Sequence, residues 1–325
     1  MRLCATFCFL LVTAITNAQV AGGNMLYNFL KLPAGPLNTA LGGENISVIS
    51  NDVTMGYQAP SLLRQEMNQQ MGFVFTTLPG SIKALHLTGN IYKASWATNI
   101  AASVQYFSYG KIPQTDAAGN EYGSFNPRDY VVQVSGSRRY VKHWFYGGAI
   151  KFIQSNYGQY RSSAIAIDIG VNYADSNGHW QAGLLLKNMG VQLKTYAGEG
   201  QDNLTFDLQA GITKRLAKAP LQFSLTVHQL QRLILYNEDI TGTLDHIMQH
   251  VVLATQFFIA DKIELTAGYN HLRRRELSIA NTSNGLTGFS LGAGVLLPKL
   301  QLRYARAYQS NSKAYNQFGL NVFLY

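Results

Sequence analysis

The stretch SSAIAIDIGVNY, residues 162–173, alternates with a period of two. Ile165, Ile167, Ile169, Val171 and Tyr173 fall on one face, and Ala166, Asp168, Gly170 and Asn172 on the other. Successive side chains of a strand point to opposite faces, so the pattern belongs to a strand with one apolar and one polar surface. KIELTAGYN sets Ile263, Leu265, Ala267 and Tyr269 against Glu264, Thr266, Gly268 and Asn270, and NLTFDLQAGITK does the same from Leu204 to Thr213. HWQAGLLLKN and PLQFSLTVHQ repeat the scheme, with Trp180 and Phe223 at apolar phases. A helical period fits none of them. These segments run to about ten residues or more, longer than the usual five or six of globular strands and matched to a tilted strand crossing a bilayer.

The pattern recurs in fourteen places, centred near residues 74, 86, 102, 132, 149, 168, 184, 209, 225, 252, 267, 291, 304 and 320. Short turns are expected at 139–142, 175–178, 217–220, 260–262 and 298–299. Longer polar connections are expected at 110–124, 156–162, 190–203, 232–245 and 271–284. Tight turns at one end and long loops at the other, with an even strand number, describe a bacterial outer-membrane β-barrel with its long loops outside. Composition agrees: only 13% of residues are charged, yet 19 Tyr, 16 Phe and 30 Gly occur without a continuous apolar run after residue 20. A helical membrane span is thereby excluded. The competing architecture, a soluble sandwich or propeller, shows alternation too, but in shorter strands. The chain ends NQFGLNVFLY, a last strand closing on an aromatic residue, although Phe323 and Tyr325 lie in the opposite phase from Phe318, Leu320, Val322 and Leu324.

The first residues, MRLCATFCFLLVTAITNAQV, read as an export signal: Arg2, an apolar run from Leu3 to Ile15, and small residues before a cleavage point after Ala18. Both cysteines, Cys4 and Cys8, lie within it, so residues 19–325 carry no thiol and no Cys-based metal site. Residues 19–70 precede the first strand and are rich in Gly, Pro and Asn. A segment of that size ahead of a fourteen-stranded barrel (residues 71–325) is expected to plug the lumen.

Within that segment ALGGENISVISNDVTMGYQAPSLL resembles the N-terminal element of barrels related to the fatty-acid transporter FadL, through Leu41, Gly42, Gly43, Asp52, Pro60, Leu62 and Leu63. Three stretches in order are similar to the PorQ family of the type IX secretion system. They are GGNMLYNFLKLPAGPLNTALGGENIS, GKIPQTDAAGNEYGSFNPRDY and APLQFSLTVHQLQR. Ala59 replaces the family's usual Asn before Pro60, which removes a side-chain cap, and Gly35-Pro36-Leu37 stands where Ser-Ala-Arg is usual, which removes an Arg anchor. The resemblance implies a non-enzymatic component of the cell-surface attachment complex. Its partners there would be a PorZ-like surface protein, PorU and PorV, and cargo would be processed and coupled to lipopolysaccharide. The FadL relationship implies an alternative, transport of hydrophobic molecules through the same fold.

For catalysis the residues offer little. There is no G-x-S-x-G and no phosphate-cradling Gly loop, and no cofactor is expected. His246 and His250 are four apart, but DHIMQHVVLATQFF reads as a strand, without the Glu and third ligand of a zincin; no metal is expected. Of the 26 Lys and Arg only Arg2 falls in the signal, leaving an excess over 17 Asp and Glu. Nucleic acid is no partner for an exported barrel. The relevant anions are lipopolysaccharide phosphates and acidic sugars, which arginine binds well. Arg273, Arg274 and Arg275 in HLRRRE open a long loop, where such a contact or a merely solvated loop base is possible. Arg138 and Arg139 sit at a short turn and mark the periplasmic boundary. The first long loop, 110–129, carries Asp116, Asn120, Tyr122, Phe125 and Arg128, either a partner contact or a flap over its own barrel mouth.

Overall fold

The computed structural model describes residues 25–196, 200–232, 235, 243–277, 285–309 and 313–324. The export signal lies outside the described residues. Fourteen antiparallel strands form one closed barrel. In chain order they are β1 (Gln70–Thr77), β2 (Lys83–Lys93), β3 (Thr98–Ser108), β4 (Arg128–Tyr140), β5 (Trp144–Tyr157), β6 (Tyr160–Ala174) and β7 (Trp180–Lys194). The second half comprises β8 (Asp207–Arg215), β9 (Leu221–Val227), β10 (Val251–Ile259), β11 (Ile263–Asn270), β12 (Phe289–Leu296), β13 (Leu300–Tyr308) and β14 (Ala314–Phe323). Each strand pairs with its neighbour in sequence, and β14 returns to β1 with Phe318 opposite Phe75 and Val322 opposite Met71. No strand edge is left open, as a bilayer requires.

All fourteen expected strands are present. One connection differs from expectation: β5 and β6 meet through the two residues 158–159, with Gly158 at φ +64°, instead of a longer loop at 156–162. Tyr157 pairs with Tyr160, so the ladder consumes the polar residues that looked like loop. The segment containing His246 is also not a strand. It is helix α3 (Thr243–Gln249), preceding β10.

The exposure pattern is inverted relative to a soluble protein. In β6 Ile165, Ile167 and Ile169 are 39%, 41% and 46% exposed, while Asp168 and Asn172 between and beyond them are fully buried. The same holds for Leu85 and Leu87 against His86, and Val132 and Val134 against Gln133. Such a surface is stable only against hydrocarbon. Trp96, Tyr140, Trp144 and Trp180 cluster at the short-turn end, and Tyr106, Tyr130, Tyr160, Tyr269 and Phe289 at the other, as interfacial aromatic residues do.

Residues 27–69 lie inside. They form only short helical pieces, among them α1 (Pro36–Ala40) and α2 (Met55–Gln58), so many of their backbone groups have no helical partner. The inward side chains of the wall and this segment satisfy one another. Thr39 Oγ1 donates to Gln317 Oε1 (2.6 Å), Asn45 Nδ2 to Ser224 Oγ (3.0 Å) and Tyr57 Oη to Gln105 Oε1 (2.9 Å). Ser61 Oγ donates to Asn172 Oδ1 (2.5 Å), and backbone amides of Ile49 and Val53 donate to Gln181 and Gln70. These contacts reach β14, β9, β3, β6, β7 and β1, all round the wall. At Gly147 the two backbones approach so closely that a Cβ would lie 2.6 Å from the carbonyl carbon of Pro60.

The motif residues organise this segment. Leu41 is buried at the end of α1, and Gly42 and Gly43 follow at φ +92° and +96°, a conformation open to glycine. Pro60 opens a single 3-10 turn with Leu62 and Leu63 buried beneath it, and Ala59 supplies no side-chain cap. Asp52 accepts from Thr54 N, Thr54 Oγ1 and Asn321 Nδ2, and its second oxygen lies 3.2 Å from Arg303 Nη1. Arg303 also donates from Nε to Glu264 (2.5 Å).

Two outcomes follow. Ile167→Arg places a charge on the lipid face and should cost about 2–4 kcal/mol in bilayer refolding titrations; a change within the scatter of ordinary surface substitutions would refute the membrane face. Arg303→Met leaves Asp52 and Glu264 buried without their cation and should cost about 3–5 kcal/mol, read as a lower urea midpoint and earlier proteolysis within residues 27–69.

Candidate functional site

A cavity of about 530 Å³ opens at the long-loop end, above the N-terminal segment. Its sides are apolar: Phe29, Leu30 and Leu32, with Leu78, Tyr109, Leu272 and Tyr315 from the wall and its loops. Its floor is charged, built from Glu44, Lys187, Asp207, His228 and Arg273. The volume falls in the range of small-molecule sites.

The floor is a connected network. The β6–β7 register shifts between Leu186 and Met189, with Asn188 at φ +56°, so Lys187 and Asn188 are both turned inward and buried. Lys151 Nζ sits 2.6 Å from Asp168 Oδ2 and donates to Asn188 Oδ1 (2.9 Å), while Asn188 N donates to Asp168 Oδ1 (2.8 Å). Lys187 Nζ donates to Gln58 Oε1 (3.0 Å) and lies 3.8 Å from Glu44. Gln209 Nε2 then bridges Glu44 (2.8 Å) and Asp207 (2.7 Å). Burial acts to raise the Glu44 carboxyl, but Lys187, His228, the Gln209 bond and Arg273 outweigh it and hold it below the usual carboxylate range. The cavity therefore offers fixed charges of both signs beside apolar side chains, suited to a small amphiphile.

The sequence-chosen residues are distributed as follows. Arg273 lines this cavity, with Nη1 3.3 Å from Ser290 Oγ and its amide capped by Asn270. Arg275 is paired with Asp245 through Nε (3.2 Å) and Nη2 (3.1 Å), and Arg274 lies on the same short helix, α4 (His271–Glu276). The three arginines are therefore separated in role and do not share one face. His246 lies on α3, while His250 bonds through Nδ1 to the carbonyl of His228, and no three-residue metal-binding group occurs among the described residues. The first long loop is a hairpin, Ile112–Thr115 paired with Glu121–Phe125, outside the barrel sheet. Asp116 accepts from the amides of Ala118 and Asn120 and from Asn120 Nδ2, which fixes the hairpin tip. Tyr122 is 64% exposed, Phe125 rests against Gly158, and Arg128 starts β4. The hairpin residues are exposed, apart from the half-buried Phe125.

Sequence reading missed the buried Lys151, Lys187, Glu44 and Asp207. The one available signal was a charge on the small polar face of a strand, as Asp168 is within SSAIAIDIGVNY. Asp245 on α3 and His271 on α4 were missed too; His271 Nε2 contacts Asp245 Oδ1 at 2.9 Å and Nδ1 contacts Tyr269 Oη at 3.0 Å. With Arg275 this carboxylate clasps the two helices of the mouth.

No protein-family model matches the chain, and no curated protein matches it. Solved structures do. A TodX monoaromatic hydrocarbon channel, as its deltaS2S3 mutant, superposes with a TM-score of 0.54 at 9% identity, covering 89% of this chain and 97% of that one. The deltaS2 mutant of the same channel gives 0.53 at 9% identity, covering 90% and 97%. The chain thus shares the closed β-barrel fold of that channel.

Burial acts to raise the Asp245 carboxyl, but bonds from His271, Gln249 and Arg275 hold it below the ordinary aspartate value. A depressed native value stabilises fully above about pH 3.9 and is lost as pH falls through it. Hydrogen exchange over 243–249 and 271–277, corrected for intrinsic rate, should therefore rise on acidification below that point. Asp245→Asn should show the raised exchange already at pH 7.

Proposed function

We propose that this barrel is a non-enzymatic anchor in the outer membrane, holding a surface protein at its long-loop end, with that end outward. The supporting observation is the segment hydrogen-bonded within the lumen, which we read as a plug. Residues 27–69 act as a plug, hydrogen-bonded to the wall on all sides, and every strand pair of the wall is closed. An interior so filled is compatible with a platform. The projecting hairpin, with Asp116, Asn120, Tyr122 and Phe125 above Arg128, is the contact we assign to the partner. The PorQ resemblance supplies its class: a PorZ-like protein of the type IX attachment complex, working with PorU and PorV where cargo is coupled to lipopolysaccharide.

A second reading, FadL-like transport of a hydrophobic molecule, is favoured by the amphipathic mouth cavity and by the barrel fold shared with a hydrocarbon channel. It requires the plug to rearrange.

The two separate in one preparation. Protein extracted from its native membrane in mild detergent should bring down a surface protein, and Tyr122→Ala with Phe125→Ala should weaken that capture at least tenfold. Capture unaffected by the hairpin changes, or normal cargo processing in a deletion strain, would defeat the anchor. Amphiphile recovered without any partner would establish transport in its place.

A further inference from the structure

The opposite mouth of the barrel, at the short-turn end, holds a second cavity of about 410 Å³. It is lined on one side by Arg64 of the N-terminal segment and on the other by Arg139 and Lys142 of the β4–β5 turn. Arg64 is the unusual member. It is only 5% exposed, and its guanidinium stacks on Phe145 with 3.7 Å from Cζ to the ring centroid. Nη1 donates to the carbonyls of Ser61 and Leu63, whereas Nη2 is buried with no hydrogen-bond partner among the described residues. A buried, unpartnered guanidinium nitrogen is costly, and proteins seldom leave one without a ligand or counter-ion. Arg139 faces the same ring, 5.9 Å from its centroid, with Nη2 bonded to the carbonyl of Lys142.

The groups facing Arg64 from all sides leave a positive surplus. Two carboxylates line the cavity. Glu66 is exposed and partly offsets Arg64, and Asp175 Oδ1 is engaged by the amide of Trp180 in its own turn. His143 also lines the cavity, with its Nδ1 held on the carbonyl of Ala174. Burial, with Arg139 alongside, pulls the Arg64 guanidinium below its ordinary value despite Glu66. A bound anion would relieve that burden.

We propose that Arg64, Arg139 and Lys142 form an oxyanion site at the short-turn mouth, with Arg64 as its rigid base and the other two as its adjustable rim. The ligand is a carboxylate or phosphate group presented from that side of the membrane. Guanidinium geometry suits both, since either can take two parallel N–H bonds. The site is independent of the anchor reading and lies at the other end of the barrel.

The test uses the full-length protein in non-ionic detergent, with thermal unfolding followed by tryptophan fluorescence. Sodium phosphate and sodium acetate are titrated at constant ionic strength against sodium chloride. At least one oxyanion should raise the midpoint saturably where chloride does not. The Arg139→Gln, Lys142→Gln double variant should weaken the apparent affinity at least tenfold, while circular dichroism remains that of the barrel. Arg138→Gln, one residue away on the outward phase, should leave the response unchanged. A response to phosphate alone identifies a phosphate-bearing ligand, and a response to acetate identifies a carboxylate. The proposal fails if neither anion acts saturably, if the double variant responds like the parent, or if Arg138→Gln abolishes the response equally. Arg64 itself is left intact, because its stacking on Phe145 helps hold the segment.

Discussion

The structure depends on mutual satisfaction of polar groups across the lumen. A closed strand ladder satisfies the wall's own backbone, but half of every strand points inward, with many Asn, Gln, Ser and Thr among buried apolar residues such as Phe107, Val131 and Ile153. Residues 27–69 bring the complementary deficit, a backbone in short turns with unpaired amides and carbonyls. Each side solves the other's problem: Gln181 and Gln70 take amides from the segment, and Asn172 takes the carbonyl of Ile46. Neither is stable in this form alone, because a buried polar group without a partner costs as much as several good contacts provide.

Charges follow the same logic at higher stakes. Arg303, Asp52 and Glu264 join the segment to β11 and β13 on one side, and the Lys187–Glu44 pair joins it to β7 on the other, beside the Lys151–Asp168 pair that links β5 to β6 within the wall. Isolated, any of these ions would be expelled from such an interior. Asp52 with Arg303 and Glu44 with Lys187 fix one orientation of the segment, since a rotation would separate both pairs at once. The two mouths are then left chemically distinct. The long-loop mouth has a mixed-charge floor beneath apolar walls, and the short-turn mouth has a surplus of arginine.

Much of the fold was readable along the chain. A period of two in SSAIAIDIGVNY or KIELTAGYN depends only on neighbours two residues apart, so strand position and facing are local properties. The apolar phase also identified the solvent of each face, because Ile165, Ile167 and Ile169 share one phase while Asp168 and Asn172 lie buried on the other. Where local signals competed, reading failed. The polar stretch at 156–162 looked like a loop, yet cross-strand pairing of Tyr157 with Tyr160 absorbs it. The His246 region carries strand-like residues, yet it is a helix whose Asp245 is clasped by His271 and Arg275.

Order along the chain specifies the class of the molecule, the count of its strands, the face each presents to lipid and the segment left over to go elsewhere. These follow from periodicity and composition, which act over a few residues. Only the tertiary structure decided which charges meet, that Arg273 and Arg275 serve different neighbours, and that Arg64 and Arg139 converge on Phe145. Those pairings join residues dozens to hundreds of positions apart, brought together by barrel closure and by the path of a segment with no periodicity. No local pattern encodes such distances, because their energy exists only once water has been removed from between the groups.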